Sequence, residues 1–296
     1  LAWIEMGTSK NGGNRADNTY FVQTNNLDLN GLDWVPLFDF RGHYDGNGFE
    51  IQNLNINRPY DNSNGLFANI SWGAEVKNLG ISNASVTGLD QNGILAFSIN
   101  HGNVHITNCY IKNSTINGRN SNGGFSYYAY QTYFEDCYVE NITINGENYN
   151  GAFSQYFRDS YLDNCFATGT INATGNYNSG LVEQHHTSST TIKNSYSRVN
   201  LNLSAGSSYV GGLVARVTNG SILNSYYAGT IDQQGSPGGN TGGLFGYPSA
   251  GNSSGCFWDS DLTPGITSGS GRAGYEWGTA KSTAEMKTPS TFLASS

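Results

Sequence analysis

Asn122-Gly123-Gly124-Phe125 and Asn150-Gly151-Ala152-Phe153 open two copies of one unit, 28 residues apart. The same small-Gly-apolar start precedes them at Asn64-Gly65-Leu66-Phe67 and Asn92-Gly93-Ile94-Leu95. It follows them at Ser179-Gly180-Leu181-Val182, Gly211-Gly212-Leu213-Val214 and Gly242-Gly243-Leu244-Phe245. Counted from the second residue, the spacings are 28, 30, 28, 29, 32 and 31. A polar-small-aromatic triplet sits inside the units, at Asn108-Cys109-Tyr110, Asp136-Cys137-Tyr138, Asn164-Cys165-Phe166, Asn194-Ser195-Tyr196 and Asn224-Ser225-Tyr226. Gly255-Cys256-Phe257 closes the series. Two motifs recurring in fixed phase specify a repeat architecture.

The repeat unit reads as short strands between Gly/Asn turns. Val104-His105-Ile106, Tyr110-Ile111 and Ser114-Thr115-Ile116 carry the alternation and β-branching of strands, and no unit shows a helical stripe. One unit cannot bury its apolar face alone, so the coils must stack, equivalent positions in register. The expected fold is all-β, a parallel β-solenoid of about seven repeats of 28–32 residues. At the spacing of paired strands its core would be a rod about 30 Å long. Residues 1–60 are expected to form an N-terminal cap and first coil, with a short helix near Leu1–Gly7. Residues 61–256 would form the repeats, and 257–296 a looser Gly/Ser/Thr-rich exit segment wrapped along the rod. The inward column expected from the starts is Phe67, Leu95, Phe125, Phe153, Val182, Val214 and Phe245.

Composition narrows the function classes. The chain of 296 residues has 14 basic and 22 acidic side chains, a net −8, with only 12% charged. So sparse and acidic a surface lacks a basic footprint for nucleic acid or an anionic membrane. No apolar run approaches the ~20 residues that span a bilayer, so membrane insertion is not expected. Abundant Tyr, Asn, Gly and Thr point to an extracellular, cell-surface or virion protein. Both ends read as cut from something longer.

The units from Gly211-Gly212-Leu213-Val214 to Ser221-Ile222-Leu223-Asn224-Ser225-Tyr226-Tyr227-Ala228-Gly229-Thr230 resemble the GLUG repeat. The leader Asp28-Leu29-Asn30-Gly31-Leu32-Asp33-Trp34 to Arg41-Gly42-His43-Tyr44-Asp45-Gly46-Asn47-Gly48 resembles the segment before such arrays. The tail from Cys256-Phe257-Trp258-Asp259 to Ser282-Thr283-Ala284-Glu285-Met286-Lys287 resembles the one after them. The resemblance implies bacterial surface adhesins, the non-catalytic region of certain secreted peptidases and other large extracellular proteins. It implies no catalytic mechanism and no cofactor.

The middle coils depart from that pattern. Aligning the starts puts Phe97, Tyr127, Gln155, Gln184 and Arg216 in one column and Ser98, Tyr128, Tyr156, His185 and Val217 in the next. Alternation along a strand sends at least one of them outward. Aromatic faces cover the apolar patches of sugars while amide and guanidinium groups answer hydroxyls. The candidate glycan-binding residues are therefore Phe97, Tyr127, Tyr128, Tyr130, Gln155, Tyr156, Gln184, His185 and Arg216. The same row would serve equally as a subunit interface, as in self-association into a fibre, or as plain packing.

Three further groups have mainly structural readings. Cys109, Cys137 and Cys165 should stack on consecutive coils as a reduced interior ladder, since three stacked sulfurs cannot all pair. Asn108, Asp136, Asn164, Asn194 and Asn224 are read as a buried polar ladder satisfying backbone groups at the bends. The following aromatics, Tyr110 to Phe257, form a second stack. Metal-ligand spacing is absent. A β-helix glycoside hydrolase would need paired carboxyls, and no register puts two of Asp159, Asp163 and Glu183 on the aromatic columns. A polysaccharide lyase would use His185, His186, Arg158, Arg216 and Tyr156. The favoured reading is a non-catalytic adhesin or receptor-recognition module for glycan, with those enzymes, or a filament or phage tail-fibre subunit, as alternatives.

Overall fold

The computed structural model describes residues 19–235 and 237–293; the helix expected at Leu1–Gly7 lies outside them. One coil shows the plan. Val104–Thr107 runs along the first face, Tyr110–Lys112 and Thr115–Asn117 along the second, Asn120–Gly123 along the third and Ser126–Tyr130 along the fourth. The next coil repeats the circuit, and every pairing between coils is parallel. Among the described residues the faces hold nine, fourteen, six and eight strands. The chain is a parallel β-solenoid.

Strand alternation sends one residue in two to the interior, where like stacks on like. Ile106 pairs with Phe134, then Leu162, Ile192 and Ile222. Ile116 pairs with Ile144, then Ile171, Leu201 and Ile231. Nearly all of these are fully buried, and each such side chain contributes about 1.5–3 kcal/mol of transfer free energy. Volume is balanced down a column. Ala167 and Ser197 precede the fully buried Tyr227, whose ring occupies the space over Gly212, where a Cβ would lie 2.2 Å from it.

A buried asparagine ladder fixes the register. Asn64 Nδ2 donates to Asn92 Oδ1 at 2.9 Å, Asn92 to Asn122 at 2.8 Å, and Asn122 to Asn150 and Asn150 to Asn178 at 2.7 Å each. Any other alignment would strand buried amides at about 1–3 kcal/mol each. Gly151 accordingly pairs with Ser179, and Ser179 with Gly211. The last three starts thus sit one residue earlier than their Gly-apolar pattern suggests. All seven residues of the expected inward column are buried, but in two adjacent columns: Phe67 pairs with Ala96, and Ser154 with Val182.

The polar ladder expected at the bends is corrected. Asn108, Asp136, Asn164, Asn194 and Asn224 are exposed and hold left-handed backbone, with φ of 51, 54, 52, 50 and 48°. Asn and Asp tolerate that region better than other side chains, so these residues turn the chain rather than satisfy its interior. Neighbouring side chains still bond in part, as where the Asn164 amide donates to the Asp136 carboxylate at 2.6 Å. Cys109, Cys137 and Cys165 form the interior stack as free thiols. The N–H groups of Cys109 and Cys137 each reach the sulfur of the next coil at 3.4 Å.

Strands from Tyr20–Val22 to Asn55–Arg58 already belong to the stack. At the other end Phe257–Asp259 pairs with Thr279–Lys281. A helical turn, Thr283–Met286, follows, its N-terminus closed by a Ser282/Glu285 capping box. Phe292 packs against Tyr226 and Phe257.

Candidate functional site

The fourth face carries the candidate residues, and its register rearranges them. Tyr128 pairs with Tyr156, Tyr156 with Gln184, Gln184 with Arg216, and Arg216 with Tyr247. This outward column replaces the expected one through Ser98, Tyr128, Tyr156, His185 and Val217. Beside it runs Phe97, Tyr127, Gln155, Glu183 and Ala215, so Gln184 and Arg216 do not follow Gln155. The shift has the cause just given, the asparagine ladder that places Asn178 beside Asn150. Alternation also fails locally: Ser126 and Ala129 are buried, whereas Tyr127, Tyr128 and Tyr130 all reach the surface. The coil of Tyr127 and Tyr128 thus offers two adjacent outward positions, whereas in later coils the first of the two, at Gln155, Glu183 and Ala215, is buried.

His185 is corrected from surface ligand to interior residue. It pairs with Phe157 on one side and Val217 on the other and is fully buried. Nδ1 lies 2.6 Å from the Asn219 carbonyl. Burial lowers its pKa to about 4, so the ring is neutral at pH 7. A lyase would lose one of its candidate bases here, leaving His186 and Tyr156.

Gln155 is also buried, and with it lies a carboxylate, Glu183, which is fully enclosed. Arg216 reaches back along the rod to meet it. Its Nε donates to Glu183 Oε1 at 2.7 Å, and Nη2 donates to Oε2 at 3.1 Å and to Gln184 Oε1 at 2.6 Å. Gln155 Nε2 donates to the same carboxylate. Burial pushes the Glu183 carboxyl up, and the guanidinium and amide act against it. The guanidinium carbon stands 4.6 Å from the Tyr177 ring centre and 5.5 Å from that of Tyr149. Glu183 is committed on both oxygens, and among the described residues no second carboxyl bonds with it, so this constellation does not offer a hydrolase its pair.

Two flanking rows escaped the sequence reading. Tyr149, Tyr177 and Tyr209 stack at 4.7 and 4.5 Å with interplanar angles of 7 and 16°. Their φ values are 61, 64 and 58°. Bulky side chains rarely hold that region, at a cost of about 1–3 kcal/mol each. Earlier and later coils fill the same position with Gln91, Ser121 and Asn240, also left-handed. The available signal was a Tyr directly before Asn150, Asn178 and Val210. On the opposite edge Trp72 (59% exposed) stacks on His101 at 5.5 Å, and His101 meets Tyr130 edge-on at 5.8 Å. Arg41 covers Trp72 and Arg158 covers Tyr130. Trp72 and His101 are left-handed too, each directly before a left-handed glycine.

Within the face Phe97 stacks on Tyr127 at 5.5 Å and Tyr128 on Tyr156 at 5.3 Å, while Tyr127, Tyr128 and Tyr130 are mutually tilted. Burial raises the phenols of Tyr128, Tyr156 and Tyr177, so each remains a hydroxyl donor at neutral pH. Two hollows, of about 600 and 410 Å³, lie instead against the second face and the exit segment, around Leu262. Among the described residues no cluster of three His, Cys, Asp or Glu is placed to hold a metal. No helix among them is long and apolar enough to cross a membrane.

No family model matches the chain. Over 89 residues it is 37% identical to halomucin of Haloquadratum walsbyi, covering 30% of this chain and 1% of that protein. Over 109 residues it is 37% identical to a protein of Evansella cellulosilytica provisionally named a Gly-rich membrane protein, covering 36% of this chain and 12% of the other. The chain thus spans a small part of either relative. A crystal structure from Bacteroides ovatus, provisionally named an immunoglobulin A1 protease, matches with a TM-score of 0.56 over 93% of this chain and 80% of that one. At 18% identity this is a likeness of fold.

Proposed function

We propose that this protein is a GLUG-like repeat region of a surface protein that holds glycan, without catalysis, on the fourth face of its middle coils. The observation that carries the reading is the outward column Tyr128, Tyr156, Gln184 and Arg216, flanked by further tyrosines. Such a row combines ring surface for sugar C–H patches with hydroxyl, amide and guanidinium groups for sugar hydroxyls. The partial likenesses to halomucin and to a protein named for a membrane favour a place at the cell surface. The interior position of His185 and the commitment of Arg216 to Glu183 argue against the lyase alternative.

The test is the Tyr128→Ala/Tyr156→Ala double variant, followed by migration through gels cast with soluble polysaccharides. Retardation of the parent protein and its loss in the variant, with the circular dichroism unchanged, is the expected result. Equal retardation of both would move the site off this face.

A further inference from the structure

Three guanidiniums of the fourth face each sit beside a carboxylate. Arg41 lies 2.6 Å from Asp39, Arg158 lies 3.7 Å from Asp159, and Arg216 lies 2.7 Å from Glu183. Arg272, at the C-terminal edge, donates to the Pro248 carbonyl and packs over Tyr247 and Tyr275. An anionic polymer would have to displace a carboxylate from each guanidinium it met along the middle coils. A neutral polyol needs no such exchange, because a guanidinium held by a carboxylate still presents the edges of its fork to hydroxyls.

Direction follows from the repeat. Groups of one kind recur along the axis, with ring centres 4.7 and 4.5 Å apart in the Tyr149–Tyr177–Tyr209 row and 5.3 Å apart for Tyr128 and Tyr156. That is the spacing of paired strands. Rings stacked so closely show their edges and hydroxyls to solvent. Among the described residues no ring of the preceding coil stacks on Tyr128 or Phe97, which follow the small side chains of Ser98 and Ala68. Left-handed tyrosines at three successive coils, where Ser121 and Asn240 suffice elsewhere, are not required by the turn. They line a track.

We infer that the ligand is a neutral, extended polysaccharide lying parallel to the solenoid axis, stacking one sugar on the Phe97/Tyr128 step and hydrogen-bonding along the Tyr149–Tyr177–Tyr209 row. This rests on the glycan reading above and goes beyond it in charge, direction and length.

The experiment titrates the whole chain with cello-, manno- and malto-oligosaccharides from disaccharide to octasaccharide, and with oligogalacturonates of matched length, at low and high salt. The expected result is that at least one neutral series gains on the order of tenfold between trisaccharide and hexasaccharide, as contacts are added on successive coils. Salt should leave that affinity unchanged. Tyr177→Asn should abolish that gain. Tighter binding of oligogalacturonates that weakens with salt would overturn this inference yet leave the glycan reading standing. So would equal affinity for trisaccharide and octasaccharide. If no carbohydrate on a broad glycan array binds, both readings fall together. Concentration-dependent dimerisation abolished by Tyr177→Asn would reassign the track to a contact between copies and overturn the inference.

Discussion

The second and fourth faces both carry half-buried aromatic rings, in different arrangements. On the second face one ring per coil, Tyr110, Tyr138, Phe166, Tyr196 and Tyr226, stacks at 5.2, 4.8, 4.8 and 4.9 Å with angles of 12, 5, 5 and 4°. Each inner ring has both faces covered by its neighbours, and Phe292 packs against Tyr226, the last of them. On the fourth face the columns change character from coil to coil, through Ser98, Tyr128, Tyr156, Gln184 and Arg216. Between coils there Phe97 and Tyr127 lie at 10° and Tyr128 and Tyr156 at 25°, and Tyr128 tilts 38° from Tyr130 along its own strand. A column whose residues vary from coil to coil is not set by ring stacking alone, and under the glycan proposal its contacts lie in solvent.

The largest expected effect lies beneath the variable face. Glu183→Ala leaves the half-buried Arg216 guanidinium and the buried Gln155 amide without their acceptor, and should cost about 3–5 kcal/mol in urea unfolding. Replacing both partners, Glu183→Leu with Arg216→Leu, should recover most of that loss. A cost below about 1 kcal/mol for Glu183→Ala would mean that the polar layer is surface decoration.

Acid should act through His185. Its folded pKa, lowered to about 4 by burial, lies below the ordinary value of about 6.5. Between those values the unfolded chain takes up a proton that the folded chain refuses, so stability is complete above pH 6.5 and falls as pH drops toward 4. The loss is about 3 kcal/mol across that window. His185→Val, matching Val217 in its column, should flatten this segment of a stability–pH curve measured by thermal melting. An unchanged slope would contradict the interior placement.

The two faces themselves are compared by smaller changes. Phe166→Ala removes two stacked contacts and should cost about 2 kcal/mol while leaving glycan retention intact. Tyr177→Asn trades a stacked ring for a side chain suited to left-handed backbone. Its stability should stay within about 1 kcal/mol of the parent, while retention falls. The reverse assignment, stability lost at Tyr177 and binding lost at Phe166, would invert the comparison.

Most of the fold was legible because the solenoid needs the same residue at the same bend in every coil. Asn-Gly starts and Cys-aromatic triplets are that need written in sequence. The register was less so. Gly180, Gly212 and Gly243 extend the motif by eye, but buried hydrogen bonding puts Asn178 in line with Asn150. That one-residue slip exchanged His185 for Gln184 on the surface and hid Glu183 beneath it, since a shift of one reverses every side chain of a strand. Tyr149, Tyr177 and Tyr209 went unread because they precede the motif rather than belong to it. Their left-handed backbone is a property of the turn that no local propensity of tyrosine announces.

The most direct test sets two paired variants side by side in polysaccharide-containing gels: Tyr128→Ala/Tyr156→Ala on the fourth face and Tyr138→Ala/Phe166→Ala on the second. The account predicts that the first pair migrates freely while melting near the parent temperature, and that the second is retarded like the parent while melting lower. Retention lost equally in both pairs, or kept in the first, would contradict the division of the rod into a structural face and a binding face.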